Sequence, residues 1–516
     1  MKSVAASQAR ATGWRRLLPH FSLAVALALL PIQLVAAPPM PEVREIRQPS
    51  LQSFTTRFGC DELGNRVSVT DEVAIVTGFE YSRLGAQTAV MEPGGVTVTR
   101  VFDELGRLVS ETGSGAGVVS ASRTFGYDAA GLRTSAGTTG GNIVFGYDDR
   151  GLLTSVTGPA GFAGSSFTYD AAGRMLSRTD AAGTTQVTWN SRNLPATVRD
   201  PLTAQTATYT WDAANQLTGV DYSGGGRRRF VYDQAGRVTS DQWSTSTGTV
   251  TAGYSYEWDA DSNLTARTVT LPGNTGAGVN RYGYDNAGRL TSWTRPNNST
   301  LTYTWDAAGN LTANAGVAQT FDQRNRMLTS GSTTYTWSAR GTLTSQKTGT
   351  AAAVPVVFDG LGRQTGFGSQ TSVYDSLDRV VTHAGTGFSY AGFELDPVKI
   401  GNTLLARGPA GGLLAVRNGT ATAVLAGLDQ HGDVGFWTSG AGTVSGTRTY
   451  TPFGAPVAST GTWAAPVGFQ GDYTDTTSSL TWMGARWYRP GTATFTAERD
   501  PISWTRGYGR SWCPWS

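Results

Sequence analysis

The sequence predicts an all-β protein built as an array of repeated, stacked β-hairpins. Three observations predict it. A motif of an aromatic residue, Asp, two small residues and Gly returns about every 20 residues, which is a repeat-architecture spacing. Residues between the copies alternate apolar and polar with period two, the signature of half-buried strands. The chain is rich in Gly, at 66 of 516 residues, and low in charge, at 15%. That balance suits turns and polar uncharged strand faces. Aromatic residues reach 10% and recur in register, so the composition is not that of a disordered chain.

The chain begins with a targeting segment, residues 1–37. Lys2 to Arg16 is basic, Leu17 to Val35 is mostly apolar, and Val35-Ala36-Ala37 offers a small-residue cleavage site. The expected location is therefore outside the cytoplasm, with cleavage near Ala36–Ala37. Contact with a membrane is expected only through this segment. The formal charge of +3 owes four positive charges to Lys2, Arg10, Arg15 and Arg16. The remainder is close to neutral, so nucleic acid is not an expected partner. Arg227-Arg228-Arg229 is the only basic run in the body, and it reads as a hairpin tip solvated by its charges. Cys60 and Cys513 lie far apart in sequence and read as two separate thiols.

Residues 38–95 read as a lead-in with degenerate repeats, such as Phe58-Gly59-Cys60-Asp61. Residues 96–385 are the repeat array. Copies begin at Phe102-Asp103, Tyr127-Asp128, Tyr147-Asp148, Tyr169-Asp170, Trp211-Asp212, Tyr232-Asp233, Trp258-Asp259, Tyr284-Asp285, Trp305-Asp306, Phe321-Asp322, Phe358-Asp359 and Tyr374-Asp375. In Ser166 to Thr179, Phe167 and Tyr169 alternate with polar residues, and Asp170 to Gly173 reads as a turn. The Asp accepts backbone N–H groups just ahead of it, and Gly tolerates positive φ. In the eroded copy at Trp189-Asn190, Asn193 replaces the turn Gly, and Asn also adopts positive φ. The Asp spacing matches no calcium loop, so these carboxylates read as turn formers and not as metal ligands.

These repeats resemble the RHS/YD-repeat family, which includes bacterial Rhs polymorphic toxins, the C component of Tc toxins, wall-associated protein A and the YD shell of teneurins. Residues 386–503 are similar to the family's RHS repeat-associated core: Tyr450-Thr451-Pro452-Phe453-Gly454, Phe469-Gln470-Gly471, Gly484-Ala485-Arg486-Trp487-Tyr488-Arg489-Pro490 and Arg499-Asp500-Pro501. The resemblance implies a spiral β-sheet wound into a hollow shell or part of one, capped by the core. In toxin members the cage holds a C-terminal effector. Residues 504–516 form an atypical tail with three Trp and no strand alternation, and no effector is recognisable there.

The resemblance also implies a self-cleavage site of the aspartyl type. By motif, Arg486 matches the core arginine and Asp500 the first Asp-Pro aspartate. The second Asp-Pro element is missing, so one carboxylate is left without its partner, and both residues read as structural remnants. His431, in Asp429-Gln430-His431-Gly432-Asp433, reads as a solvated turn histidine. With His383 it offers no zinc spacing, and no glycine pattern fits a phosphate loop. No cofactor or metal is expected. The functions in play are a structural or toxin-enclosing shell with an effector polypeptide supplied separately, a module binding surface glycans, and, disfavoured, an autoprotease.

Overall fold

The computed structural model describes residues 44–47, 55–159 and 162–498. The expected targeting segment, residues 1–37, the tail and Asp500 lie outside the described residues. The fold is all-β. A single sheet of 41 strands runs from Arg44–Arg47 to Pro456–Gly461, and each strand pairs antiparallel with the next in sequence. A separate four-stranded sheet follows, from Tyr473–Thr474 to Thr494–Phe495. Among the described residues, no helix is long and apolar enough to cross a membrane.

The repeat motif makes the hairpins, and each of its positions has a separate task. In the copy at Tyr169, the Asp170 carboxylate accepts the amides of Ala172 and Arg174, each at 2.9 Å. Gly173 sits at φ 79° and donates its amide to the Asp170 carbonyl. A register shift beside the turn marks a β-bulge, as expected for a turn that closes on a positive-φ residue. Asn193 takes φ 61° in the eroded copy, as its side chain permits.

The aromatic residue does more than pack. Its polar atom reaches back to the previous repeat. Tyr127 Oη donates to the Leu108 carbonyl at 2.9 Å, Tyr169 Oη to Leu153 at 2.8 Å, Trp211 Nε1 to Pro195 at 2.8 Å and Trp305 Nε1 to Leu290 at 2.7 Å. This explains why Tyr and Trp dominate the position and alternate there, since both combine a large apolar body with one donor. The arginine after the turn reaches forward. Arg107 pairs with its own Asp103 at 2.7 Å and donates to the Asp128 carbonyl of the next copy at 2.8 Å. Arg237 and Arg289 repeat the arrangement toward Asp259 and Asp306. Neighbouring hairpins are thus stapled in both directions, which supplies what a lone hairpin lacks.

The sheet winds back upon itself. Arg340 Nη1 donates to Glu92 at 3.1 Å, 248 residues away, and Arg123 Nη1 to Asp378 at 2.6 Å, across 255 residues. Further on, Arg178 Nη2 donates to the Arg407 carbonyl across 229 residues, Arg228 Nη2 to Leu428 across 200, and Asn274 Nδ2 to Thr447 across 173. Both members of each pair advance together along the chain. The second turn therefore follows the first as a spiral, and the separation, falling from 255 at Arg123 to 173 at Asn274, shows that it tightens.

Where the spiral tightens, strands become buried on both faces. In Thr403–Arg407, Leu413–Asn418, Val424–Leu428 and Val434–Thr438, one face (Ala406, Ala415, Leu425, Phe436) packs on Trp243, Tyr254 and Val269 of the first turn. The other (Leu405, Val416, Ala426, Trp437) joins Leu480, Trp482 and Trp487 of the last sheet. The local sequences Leu404-Leu405-Ala406, Leu413-Leu414-Ala415-Val416 and Val424-Leu425-Ala426 are continuous apolar runs, as two-sided burial demands.

Two expectations are corrected. Arg227-Arg228-Arg229 is not a solvated tip but the start of the strand Arg227–Tyr232. Arg228 turns inward, where it pairs with buried Asp241 at 2.5 Å and anchors the second turn through Leu428. Only its neighbours Arg227 and Arg229 remain near half-exposed, beside Asp221. Cys60 is not a thiol but disulfide-bonded, and its partner lies outside the described residues.

Candidate functional site at the capped end

Residues 462–498 close the end of the spiral. Trp487 Nε1 donates to Tyr374 Oη at 3.2 Å, and the Trp487 ring lies 4.6 Å from His383 and 5.3 Å from Trp482. Tyr488 Oη donates to the Phe453 carbonyl at 3.0 Å. At the far edge, the Leu343 amide donates to Thr496 at 3.0 Å and the Glu498 amide to Gly341 at 2.9 Å, while the Glu498 carboxylate meets Arg324 at 3.3 Å. A few aromatic anchors and backbone bonds thus tie the cap to wall strands that lie far apart in sequence.

Of the two residues that the sequence singles out, only Arg486 is described. Its Nη1 donates to the Ala497 carbonyl at 3.3 Å, and its guanidinium lies 3.8 Å from the centre of the Phe495 ring. Asp500 lies outside the described residues.

A second group of ionisable residues sits where first turn, second turn and cap meet. Asp429 caps its own turn by accepting the amides of His431 and Asp433, and its Oδ2 accepts Arg267 Nη1 at 2.7 Å from the first turn. Asp433 Oδ1 meets His431 Nδ1 at 2.9 Å and accepts the Gln470 amide of the cap at 2.9 Å. His431 Nε2 lies 3.3 Å from the Gln470 side-chain amide. The reading of His431 as a solvated turn residue is therefore corrected: it is a half-buried clamp between wall and cap. Its loop sequence gave no sign of this, because Asp433 and Gln470 are 37 residues apart.

The electrostatics follow from burial and pairing. Burial, together with the nearby Asp433 charge, pushes the Asp429 carboxyl up to about 6, against the pull of Arg267 and His431. Burial also opposes charge on His431, but the Asp433 carboxylate outweighs it and raises the imidazole to about 9. Asp433 goes the other way: burial works against its charge, yet the His431 ion pair holds it below the ordinary carboxylate range. A cavity of about 10 Å³ adjoins Asp429, Asp433, Arg267 and Tyr254, room for a single water. Two carboxylates with split affinities and a water could in principle share a proton. Here both are already committed to Arg267, His431 and backbone amides, which suits a lock. Among the described residues, no group of three or more His, Cys, Asp or Glu side chains is placed to hold a metal ion.

The wall of stapled hairpins, its spiral seam and its cap define an RHS/YD-repeat shell. The profile of the teneurin YD-shell family matches residues 225–507, more than half of the chain, and that of the RHS repeat matches residues 102–143 and 147–185. The chain belongs to the YD-shell family. No curated protein matches it by sequence. Among solved structures, it is similar in fold to the Photorhabdus luminescens Tc holotoxin pore, with 16% identity over 88% of this chain and 27% of that one and a TM-score of 0.63. It is likewise similar to the complex TcdB2-TccC3, with 16% identity over 86% of this chain and 28% of that one and a TM-score of 0.62. The chain spans less than a third of the length of these neighbours.

Proposed function

We propose that this chain is an exported structural shell that encloses or braces a polypeptide supplied separately, and that it is not a catalyst. The observation that carries this reading is the seam. Arg123, Arg178 and Arg228 lock successive turns of one continuous sheet, and the cap then closes the end. Such a construction spends its ionisable groups on wall integrity. The likeness in fold to the Tc structures, in which TccC3 is named within a holotoxin pore or together with TcdB2, supports a role beside a partner polypeptide.

The strand aromatics favour the shell over a glycan-binding surface. Phe145, Phe167, Trp243, Trp293 and Tyr303 are buried, and a ring packed in the core cannot stack on a sugar. The motif rings Tyr127, Tyr169, Trp211 and Trp305 are half-buried and commit their polar atoms to the previous repeat.

Two measurements test the proposal. The first appends an unfolded reporter segment after Ser516 and follows its native-state digestion by trypsin. Slow cleavage relative to the free reporter is expected, and equal rates would contradict enclosure. The second is the intact mass of the exported protein. Loss of the segment up to Ala36 or Ala37 is expected, and a further cut that Asp500→Asn abolishes would overturn the non-catalytic reading.

A further inference from the structure

The cap holds one charged side chain that the wall does not answer. Arg489 ends the strand Trp487–Arg489 and is only 9% exposed. Its Nε, Nη1 and Nη2 are all buried and without a hydrogen-bond partner. Its guanidinium lies 4.8 Å from the centre of the Tyr335 ring. No described carboxylate forms an ion pair with it.

This sets Arg489 apart from the other deeply buried arginines. Arg178 pairs with Asp180 and Arg379 with Asp375, each at 2.8 Å. Arg407 donates to the carbonyls of Pro397 and Gly411. Each of these has acceptors placed for it by the sheet. A guanidinium cannot shed its proton near neutral pH, and a buried charge without a counter-charge is strongly unfavourable. The Tyr335 ring face offsets part of that cost. It supplies no acceptor for the five N–H groups.

A further orphaned polar atom lies on the strand paired with that of Tyr335. Gln346 is the cross-strand partner of Tyr335, and its Oε1 is buried without a partner. Cross-strand partners share a face of the sheet. The wall opposite Arg489 thus joins a fork of orphaned donors to an orphaned acceptor. A ligand that satisfies both has two oxygens for the fork and brings a proton or a water to Gln346.

We propose that Arg489, with Tyr335 and Gln346, forms a binding site for a small oxyanion, a carboxylate or a phosphate, held between the cap and the wall. The planar fork suits bidentate oxygens. The bound anion neutralises the cap's buried charge and so couples cap closure to its presence.

The test is thermal melting of the purified mature chain in a chloride buffer free of oxyanions. Sodium acetate in one arm and sodium phosphate in the other are titrated through the millimolar range at constant ionic strength. A saturable rise in Tm of about 2–4 °C is expected in at least one arm, and the arm that responds distinguishes carboxylate from phosphate. Arg489→Met should abolish the response and, in chloride alone, melt no lower than the wild type. Arg489→Lys keeps the charge but loses the fork. It should weaken the response, and it serves if the methionine variant does not fold. A wild type that responds to neither anion, or an Arg489→Met variant with the wild-type response, overturns the site.

Discussion

The hydroxyl of Tyr169 donates to the carbonyl oxygen of Leu153 at 2.8 Å and ties one hairpin to the hairpin before it. The same bond recurs along the array with Tyr or Trp as donor. Its loss leaves the ring in place and removes only the tie. Tyr169→Phe should therefore cost about 1 kcal/mol, whereas Tyr169→Trp should cost less, because the indole can donate to the same carbonyl. Denaturant midpoints of the two variants check this. Equal losses would show that the position is filled for packing alone.

The turn glycine answers to backbone geometry. A Cβ at Gly173 would meet only Leu152, at an ordinary 3.6 Å, so space is not the obstacle. The φ of 79° is, and a β-branched residue resists it. Gly173→Val should destabilise the array by about 1–3 kcal/mol, and Gly173→Asn should be nearly neutral, as Asn193 already shows in its own copy. A melting temperature unchanged by Val would contradict the turn.

Two adjacent arginines should differ sharply. Arg228 is buried against Asp241 and reaches the second turn, while Arg229 pairs with half-exposed Asp221. Removing the first strands a buried carboxylate, at a cost of about 3–5 kcal/mol. Removing the second costs less than about 1 kcal/mol. Urea unfolding of Arg228→Met and Arg229→Met decides it, and similar midpoints would contradict the inward placement of Arg228.

These contrasts mark what the sequence reveals. The hairpins are legible because their causes are local: Asp170 bonds amides two and four residues ahead, and Gly173 needs only its own φ. The cap is legible through the family's motif at residues 484–490. The seam is not, because its partners stand about 170 to 255 residues apart and nothing in Arg123 or Asp378 names the other. His431 is misjudged for the same reason. The two-sided burial of Leu413–Asn418 did leave a trace, an unbroken apolar run among alternating strands, and that run is the signal by which inner-layer strands can be found.

The clamp at His431 predicts a pH dependence. The imidazole is raised to about 9 in the fold, from an ordinary value near 6.5. Its stabilisation is thus complete below about pH 6.5 and is lost as pH climbs through 9. Asp429 acts in the same sense at lower pH: raised to about 6, it favours the fold below about pH 4 and ceases to do so above 6. Asp433 acts oppositely, stabilising above the carboxylate range and less so as acid protonates it. The Tm of the wild type should fall between pH 6.5 and 9, and His431→Gln should flatten that fall. Parallel curves for the two proteins would show that the clamp is not charged.

The spiral seam is the central claim, and cross-linking across it tests that claim most directly. The side chains of Glu92 and Arg340 meet at 3.1 Å although 248 residues separate them. Glu92→Cys and Arg340→Cys, joined by a short bismaleimide and mapped by peptide mass spectrometry, should give a link within one chain. The shifted pair Glu92→Cys and Asp378→Cys should not, since Asp378 belongs beside Arg123. A spiral in this register predicts the first link and not the second. Links only between separate chains, or equal yields from both pairs, would contradict it.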